Sequence, residues 1–286
     1  MRPRDVFDLV ILGAIWGGAF PLLRVAVPEF GSVPLVFVRV LVASLLLVAM
    51  ARGFARMREH AGPLFFLGLI NTAVPFALFA FATLYVNAGL AALLNSTTPM
   101  FGALVSYFWL GERLTLLRVL GIVIGFAGVG SIVWSQIGTH AEGAALGVAA
   151  GLLASAMYGV AANVARKKLT TLDAQTVAAG SVVSATLALL PVAIIRWPET
   201  LPSSAAWVSA VALGLVCTAL AYLMYFRLIR NVGPSKAVTV TFLIPLFGIF
   251  WGAVFLDEPI TPALIGSCVL ILAGTALATG LVRAPS

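Results

Sequence analysis

The chain is poor in charged side chains. Only 9% of its 286 residues are Asp, Glu, Lys or Arg, whereas these residues make up about 25% of a typical soluble domain. Hydrophobic residues account for 62% of the sequence, and the mean hydropathy is +1.10. This composition excludes a soluble globular domain and predicts a protein whose surface contacts a lipid bilayer.

Cysteine and histidine are scarce as well, with two of each. Cys217 and Cys268 lie in apolar stretches, so we expect them to pack as small apolar side chains and not to form a disulfide. His60 and His140 lie in predicted loops, and no Walker glycine loop and no HEXXH, CXXC or GXSXG pattern occurs. The sequence therefore predicts no catalytic residue, no cofactor and no metal site. It also disfavours a membrane-embedded enzyme, which would need a reactive group at membrane depth.

Apolar stretches recur along the whole chain, each close to the roughly 20 residues that a helix needs to cross a bilayer. The sequence predicts an all-α integral membrane protein with ten transmembrane helices. The predicted spans are 7–27, 34–51, 63–85, 88–110, 116–134, 144–165, 176–195, 205–228, 235–256 and 262–281.

The basic residues are distributed unevenly between the two sides of these spans. Lys and Arg near span ends are retained on the cytoplasmic side, so the larger group predicts that side and places both termini in the cytoplasm. The net charge of +7 is then a topology signal, and no nucleic-acid partner is expected. The larger group has 14 of the 17 basic residues: Arg2, Arg4, Arg52, Arg56, Arg58, Arg113, Arg118, Arg166, Lys167, Lys168, Arg227, Arg230, Lys236 and Arg283.

The sequence resembles itself at an offset of 146 residues, as between PMFG at 99–102 and PLFG at 245–248. This similarity divides the chain into a first half, 1–137, and a second half, 138–286, of five spans each. An odd number of spans inverts the second half relative to the first, which is typical of alternating-access transporters. Further correspondences are Glu112 with Glu258 at the same offset, and Trp16 with Tyr158 and Arg24 with Arg166 at an offset of 142.

Prolines within the spans are candidate hinges, because proline frees a backbone carbonyl and kinks a helix. Static packing kinks are the alternative. The candidates are Pro21, Pro75, Pro99 and Pro245, of which Pro99 and Pro245 are predicted at equivalent breaks of the fourth and ninth spans.

Polar and amphipathic side chains at membrane depth are the candidate substrate contacts. For each of them, a hydrogen bond between helices is the alternative. A shared central cavity explains their distribution over the spans better than lipid contact does. The candidates are Trp16, Asn71, Asn95, Thr98, Tyr158, Asn163 and Tyr222.

Charge deep inside the predicted spans is limited to arginine. Arg39 lies about one turn into the second span, where it either extends to the interface or attracts a carboxylate or phosphate of the substrate. Arg24 is closer to the interface and is expected to extend to it. Since no Asp or Glu lies deep in a span, the sequence favours a neutral, zwitterionic or anionic substrate without tight proton coupling.

Several of these features resemble a known family. Residues 13–20 read GAIWGGAF, Arg39 lies in the second span, and a Pro-x-Phe-Gly motif precedes Glu by ten residues at 99–112 and 245–258. Over its whole length, the chain resembles the drug/metabolite transporter superfamily in its EamA-type family. The resemblance implies ten spans in two inverted five-span repeats, and a central cavity lined by spans 1, 3, 4, 6, 8 and 9. It also implies the bacterial inner membrane and export of amino acids or related metabolites.

The sequence thus predicts a secondary transporter, not an enzyme, that exports a small-molecule substrate, with amino acids favoured, by alternating access. A monomer is expected. The alternatives are an exporter of hydrophobic drugs or an antiporter of phosphorylated or nucleotide-linked sugars. A membrane-embedded enzyme and a scaffold or receptor without transport are the readings from other classes.

Overall fold

The computed structural model describes residues 1–50, 54–137, 143–169 and 171–280, and in these ranges the chain forms helices, turns and loops without a strand. Short helices at Phe54–Glu59 and Pro234–Ala237 precede the third and ninth long helices. The ten long helices are α1 (Pro3–Phe30), α2 (Ser32–Met50), α3 (Ala61–Tyr85), α4 (Ala88–Leu110), α5 (Leu116–Ile137), α6 (Ala144–Lys168), α7 (Ala174–Ile195), α8 (Ser204–Val232), α9 (Val240–Leu256) and α10 (Pro262–Ala278).

Helices α1 to α8 have the length and apolar composition to cross a membrane, and α9 and α10 are shorter apolar helices of 17 residues each. The all-helical membrane fold expected from the sequence is therefore confirmed, with helix ends within a few residues of the predicted spans. Some sequence-based assignments concern residues outside the described ranges, namely Ala51, Arg52, His140, Glu142, Leu281 and Arg283.

Local sequence explains where several of the helices begin. Asn87, Asp173 and Thr261 each precede a helix and accept a hydrogen bond from the backbone N–H three residues later. These caps satisfy donors that have no partner within the helix. Gly111 ends α4 in the left-handed conformation, with φ of 68°, which glycine adopts without a steric penalty.

Both α3 and α8 contain one π-helical turn in their middle, where an i→i+5 bond replaces the usual i→i+4 bond. The turns are Leu69–Ala73 in α3 and Leu215–Leu220 in α8. Their first residues are 146 positions apart. The self-similarity of the sequence is therefore accompanied by the same local departure from α-helical geometry in both halves.

The prolines differ in their backbone setting. Pro99 directly follows a turn at Ser96–Thr97 that divides α4 into Ala88–Asn95 and Thr98–Leu110. Pro245 lies inside the continuous helix α9, and the turn before that helix is at 238–239. The expected equivalence of the two breaks is thus not found. Pro99 is the second residue of its helical segment, where its missing N–H has no helical partner, whereas Pro245 is the sixth residue of α9 and lies inside the helix. Pro21 is inside α1, and Pro75 begins the helix after the π turn of α3.

Packing between the halves follows a regular pattern. Helix α1 packs on α9 as α6 packs on α4, α1 packs on α8 as α6 packs on α3, and α2 packs on α8 as α7 packs on α3. Helices α5 and α10 pack on each other, as do α2 and α7. Each of these contacts therefore recurs when every helix is replaced by its counterpart in the other half. The main cluster of buried apolar side chains takes residues from all ten helices.

Candidate functional site

A cavity of about 320 Å³ lies between α1, α2, α3, α4, α6, α8 and α9. Its volume is within the range of small-molecule sites in proteins. These are the six helices expected to line a cavity, together with α2. Seven of the eight predicted substrate contacts line it: Trp16, Arg39, Asn71, Asn95, Thr98, Tyr158 and Tyr222.

Asn163 is the predicted contact that does not line the cavity. Its side chain accepts a hydrogen bond from Ser106 Oγ at 2.7 Å and donates to the carbonyl oxygens of Gly102 at 3.2 Å and Gly159 at 2.9 Å. The amide is buried and joins α6 to α4, so the interhelical alternative describes it. Sequence position alone did not distinguish Asn163 from the cavity residues, because both kinds are polar side chains at membrane depth.

The phenylalanines of the cavity wall were not predicted from the sequence. Phe20, Phe76 and Phe79 line the cavity beside Tyr158, Tyr222 and Tyr225. The ring of Phe79 stacks on that of Tyr158, with centroids 6.0 Å apart. At the offset of 146, Phe76 corresponds to Tyr222 and Phe79 to Tyr225. The repeat itself was thus the signal that would have identified these residues.

Arg39 turns into the cavity rather than toward the membrane surface, so the extended orientation considered for it is wrong. Arg39 is 6% exposed, and its Nε donates a hydrogen bond to Thr218 Oγ1 at 2.9 Å. The guanidinium carbon lies 3.8 Å from the ring centroid of Phe76, which is cation–π geometry. Within the described ranges, no carboxylate forms an ion pair with Arg39.

Other polar groups of the lining are without hydrogen-bond partners among the described residues. They are the side-chain amides of Asn71 and Asn95 and the buried hydroxyl of Thr98. A buried polar group without a partner costs free energy. These groups are therefore available to a solute that enters the cavity.

Two ion pairs occupy corresponding positions in the two halves. Arg24 Nε lies 3.2 Å from Glu258 Oε1, and the Glu258 carboxylate also accepts from the backbone N–H groups of Ala88 at 2.9 Å and Gly89 at 3.3 Å. Arg24 Nη1 also donates to the carbonyl of Val86 at 2.7 Å, so the side chain binds partners at the ends of helices α3 and α9.

The corresponding pair in the other half joins Arg166 to Glu112. The side chains of Arg24 and Glu258 are 39% and 10% exposed, whereas those of Arg166 and Glu112 are 61% and 36% exposed. The first pair is thus the less exposed of the two, and its carboxylate also binds the N-terminus of α4. Sequence analysis matched each of these residues to its counterpart but did not pair the arginines with the glutamates.

Of the acidic residues that the structure describes, none lines the cavity. In the described part of the chain, no three His, Cys, Asp or Glu side chains come together as a metal site would require. The chemistry that remains is one guanidinium, amides, hydroxyls and aromatic faces. This set can bind and orient a small solute.

Comparison with known proteins identifies relatives that match nearly the whole chain. The chain is 27% identical over 288 residues to an uncharacterized transporter, YvbV, of Bacillus subtilis, covering 96% of this chain and 92% of the relative. It is 28% identical over 281 residues to a "probable terminal-alkyne amino-acid exporter" of Streptantibioticus cattleyicolor, covering 96% and 93%. A solved crystal structure matches the fold with a TM-score of 0.67 at 19% identity, covering 100% of both chains. The EamA-like transporter family matches residues 6–134 and 145–280, and the chain therefore belongs to this family of membrane transporters.

Proposed function

We propose that the protein is a secondary transporter that exports a small metabolite across the bacterial inner membrane by alternating access, with amino acids as the favoured substrates. The observation that carries the proposal is a single cavity lined by both halves, with corresponding ion pairs in the two halves of the bundle. In this proposal ten helices span the membrane, residues 1–137 and 138–286 form two inverted repeats, and both termini are cytoplasmic. The proposal also has the transporter act as a monomer, each chain with its own cavity.

Inversion of the second half places the two ion pairs near opposite faces of the membrane. Five helices in each half make α1 and α6 run in opposite directions across the membrane. Arg24 and Arg166 then lie near opposite faces, with Arg24–Glu258 on the outer side and Arg166–Glu112 on the cytoplasmic side. In each pair, a basic side chain of the first helix of one half binds an acidic residue that follows the fourth helix of the other half.

Alternating access follows if the two pairs open in turn. The Arg24–Glu258 pair, with the N-terminus of α4, closes the outer side in this conformation. Separating it exposes the cavity outward, while a tightened Arg166–Glu112 contact closes the cytoplasmic side. A substrate gradient is sufficient to drive this cycle, since no carboxylate of the lining alternates between a proton and a cation.

Cys217 lines the cavity and reports which side is open. In a Cys268→Ser background, a membrane-impermeant maleimide is added to right-side-out vesicles, so that it reaches the protein from the outer side. Glu258→Gln should raise the labelling rate of Cys217 from that side, because it removes the charge that holds Arg24. Asp8→Asn is the matched control, since the Asp8–Arg227 pair has no counterpart in the repeat.

Equal labelling of the Glu258→Gln and Asp8→Asn proteins would contradict the role of the outer pair. Glu112→Gln extends the test to the cytoplasmic side. It should slow the appearance of the outward-open state and lower outer labelling, because the contact that closes the cytoplasmic side is weakened. Labelling that rises in both glutamate variants would indicate general loosening of the bundle instead of alternation.

Transport itself is measured as uptake of radiolabelled amino acids into proteoliposomes. Asn95→Ala and Tyr158→Ala should lower uptake without lowering the folded yield, because both side chains line the cavity. Gln175→Ala is the control, since this exposed amide contacts only the Met50 carbonyl at 3.5 Å among the described residues. Unchanged uptake in both cavity variants would overturn the assignment of the cavity as the transport site.

The amino-acid class is supported by the name of the Streptantibioticus cattleyicolor relative and by the chemistry of the lining. An inner-membrane location is supported by an uncharacterized inner membrane transporter of Escherichia coli K12, YedA, which is 26% identical over 254 residues, 85% of this chain and 80% of the relative. Sugar phosphates are disfavoured as substrates because the lining has one basic side chain. Hydrophobic drugs are the competing class, and a substrate panel separates them.

A further inference from the structure

Among the described residues, Arg39 is the one charged side chain that lines the cavity. It is 6% exposed, and no carboxylate in the described ranges pairs with it. An unpaired charge at membrane depth is expensive, and side chains retained there generally have a partner or a function. The anion that neutralises Arg39 must therefore come from outside the described residues, and the cavity is where it can enter.

Thr218 fixes the orientation of this guanidinium. Its hydroxyl donates to the Leu213 carbonyl at 2.8 Å, a residue five positions earlier, and accepts from Arg39 Nε at 2.9 Å. The bond to Leu213 is possible because the π turn of α8 changes the local backbone spacing. With Nε engaged and the Phe76 ring against the guanidinium face, both Nη groups have no hydrogen-bond partner in the described part of the chain.

We propose that Arg39 binds the carboxylate of the transported molecule through its Nη groups, and that the substrate is a monocarboxylate with an apolar body. The proposal deepens the transport function and rests on it. Two N–H donors in one plane match the two oxygens of a carboxylate, which gives a bidentate, charge-assisted contact. A single guanidinium neutralises one negative charge, so a phosphate dianion is underpaired and an amine without a carboxylate is repelled.

The rest of the lining indicates the shape of the substrate body. Trp16 lies 5.3 Å from Tyr225, and Phe79 lies 5.6 Å from Phe20 and 6.0 Å from Tyr158, between ring centroids. These faces form an apolar wall suited to an aromatic or large aliphatic group. The amide oxygens of Asn71 or Asn95 can accept hydrogen bonds from an ammonium group, so zwitterionic amino acids are included in the class.

Matched pairs of probes test the proposal on the full-length protein in proteoliposomes. The probes are L-phenylalanine and L-leucine, their carboxamides, and 2-phenylethylamine, each used to compete with uptake of radiolabelled L-phenylalanine or L-leucine. Each acid should bind at least about tenfold more tightly than its carboxamide, and the amine should not compete. Preference for the amides or the amine would overturn the proposal, as would the absence of binding by either acid.

Variants at Arg39 assign the preference to this side chain. Arg39→Gln should reduce the ratio of acid to amide affinity to about one, and Arg39→Lys should restore part of it because a charge remains. Arg39→Gln is expected to fold, since it removes a buried charge that has no protein counterion. Thr218→Val should lower the ratio through loss of positioning, with the thermal stability of each variant measured alongside.

The outcomes separate this inference from the transport function. An unchanged acid-to-amide ratio in Arg39→Gln, with uptake retained, would overturn the role of Arg39 and leave transport intact. Thermal stabilisation of the purified protein by the acids that is lost in Arg39→Gln, in a protein whose wild type shows no flux, would support the carboxylate site and refute transport. A purely structural role of Arg39 predicts lower stability with the ratio unchanged.

Discussion

Gly17 and Gly159 occupy corresponding positions next to two cavity residues, and the structure gives both the same steric constraint. A Cβ at Gly17 would lie 2.6 Å from Phe247 Cβ and 2.8 Å from Gly248 N. A Cβ at Gly159 would lie 2.7 Å from Gly102 N and 2.9 Å from Phe101 Cβ. Backbone atoms cannot rotate away, so an alanine at either position forces the two helices apart.

The size of the effect follows from two opposing contributions. Overpacking of this kind costs about 1–3 kcal/mol, whereas alanine in place of glycine inside a helix gains up to about 1 kcal/mol. Gly130 and Gly266 are helical glycines whose added Cβ would meet nothing within 4 Å. Gly130→Ala and Gly266→Ala therefore isolate the gain, which both kinds of site share, and the difference between a packed site and a control should be about 1–3 kcal/mol.

Thermal unfolding in detergent, followed by fluorescence, measures the difference. Gly17→Ala and Gly159→Ala should melt below the wild type by similar amounts, and the two controls should melt at or above it. Because the substitutions also move Trp16 and Tyr158, uptake should fall in both packed variants. Melting temperatures of all four proteins within error of one another would refute the close packing of α1 on α9 and of α6 on α4.

Three further predictions concern other parts of the molecule. Burial raises the pKa of Asp173, but hydrogen bonds from Thr176 outweigh this effect and leave the pKa lowered. Asp173→Ala should therefore lower the free energy of unfolding by about 1 kcal/mol at neutral pH. This difference should disappear as the pH falls through the folded-state pKa of Asp173, which thermal melts at several pH values would measure. Asn163→Leu should lower stability by leaving Ser106 without its acceptor while the acid-to-amide preference stays unchanged, and a changed preference would place Asn163 in the site after all. Dissipating the proton gradient should leave uptake driven by a substrate gradient intact, and its collapse would require a coupling carboxylate.

The sequence was most informative where a physical rule depends only on the order of residues along the chain. Apolar runs of membrane-crossing length predicted the helices, since lipid offers a polypeptide few other ways to satisfy its backbone. The offset of 146 predicted corresponding halves, and the π turns and the helix contacts repeat at that correspondence. Seven of the eight predicted substrate contacts share one cavity, because polar side chains at membrane depth tend to face an enclosed space.

Direction and pairing of side chains depended on the tertiary structure. Asn163 and Asn95 are both asparagines at membrane depth, yet one joins two helices and the other faces the cavity. A helix position fixes the face of a side chain only relative to its own helix, and the neighbour of that face is set by packing.

The same limit applies to the charged groups. By itself the sequence determined that the chain is a helical membrane protein with two related halves, that few charges enter the membrane, and that Arg39 is one of them. Only the tertiary structure decided that Arg39 turns into a cavity and binds Thr218, and that Arg24 and Arg166 bind the glutamates of the opposite half. Residues more than 50 positions apart meet in these contacts, and no local rule of composition or spacing specifies such a meeting.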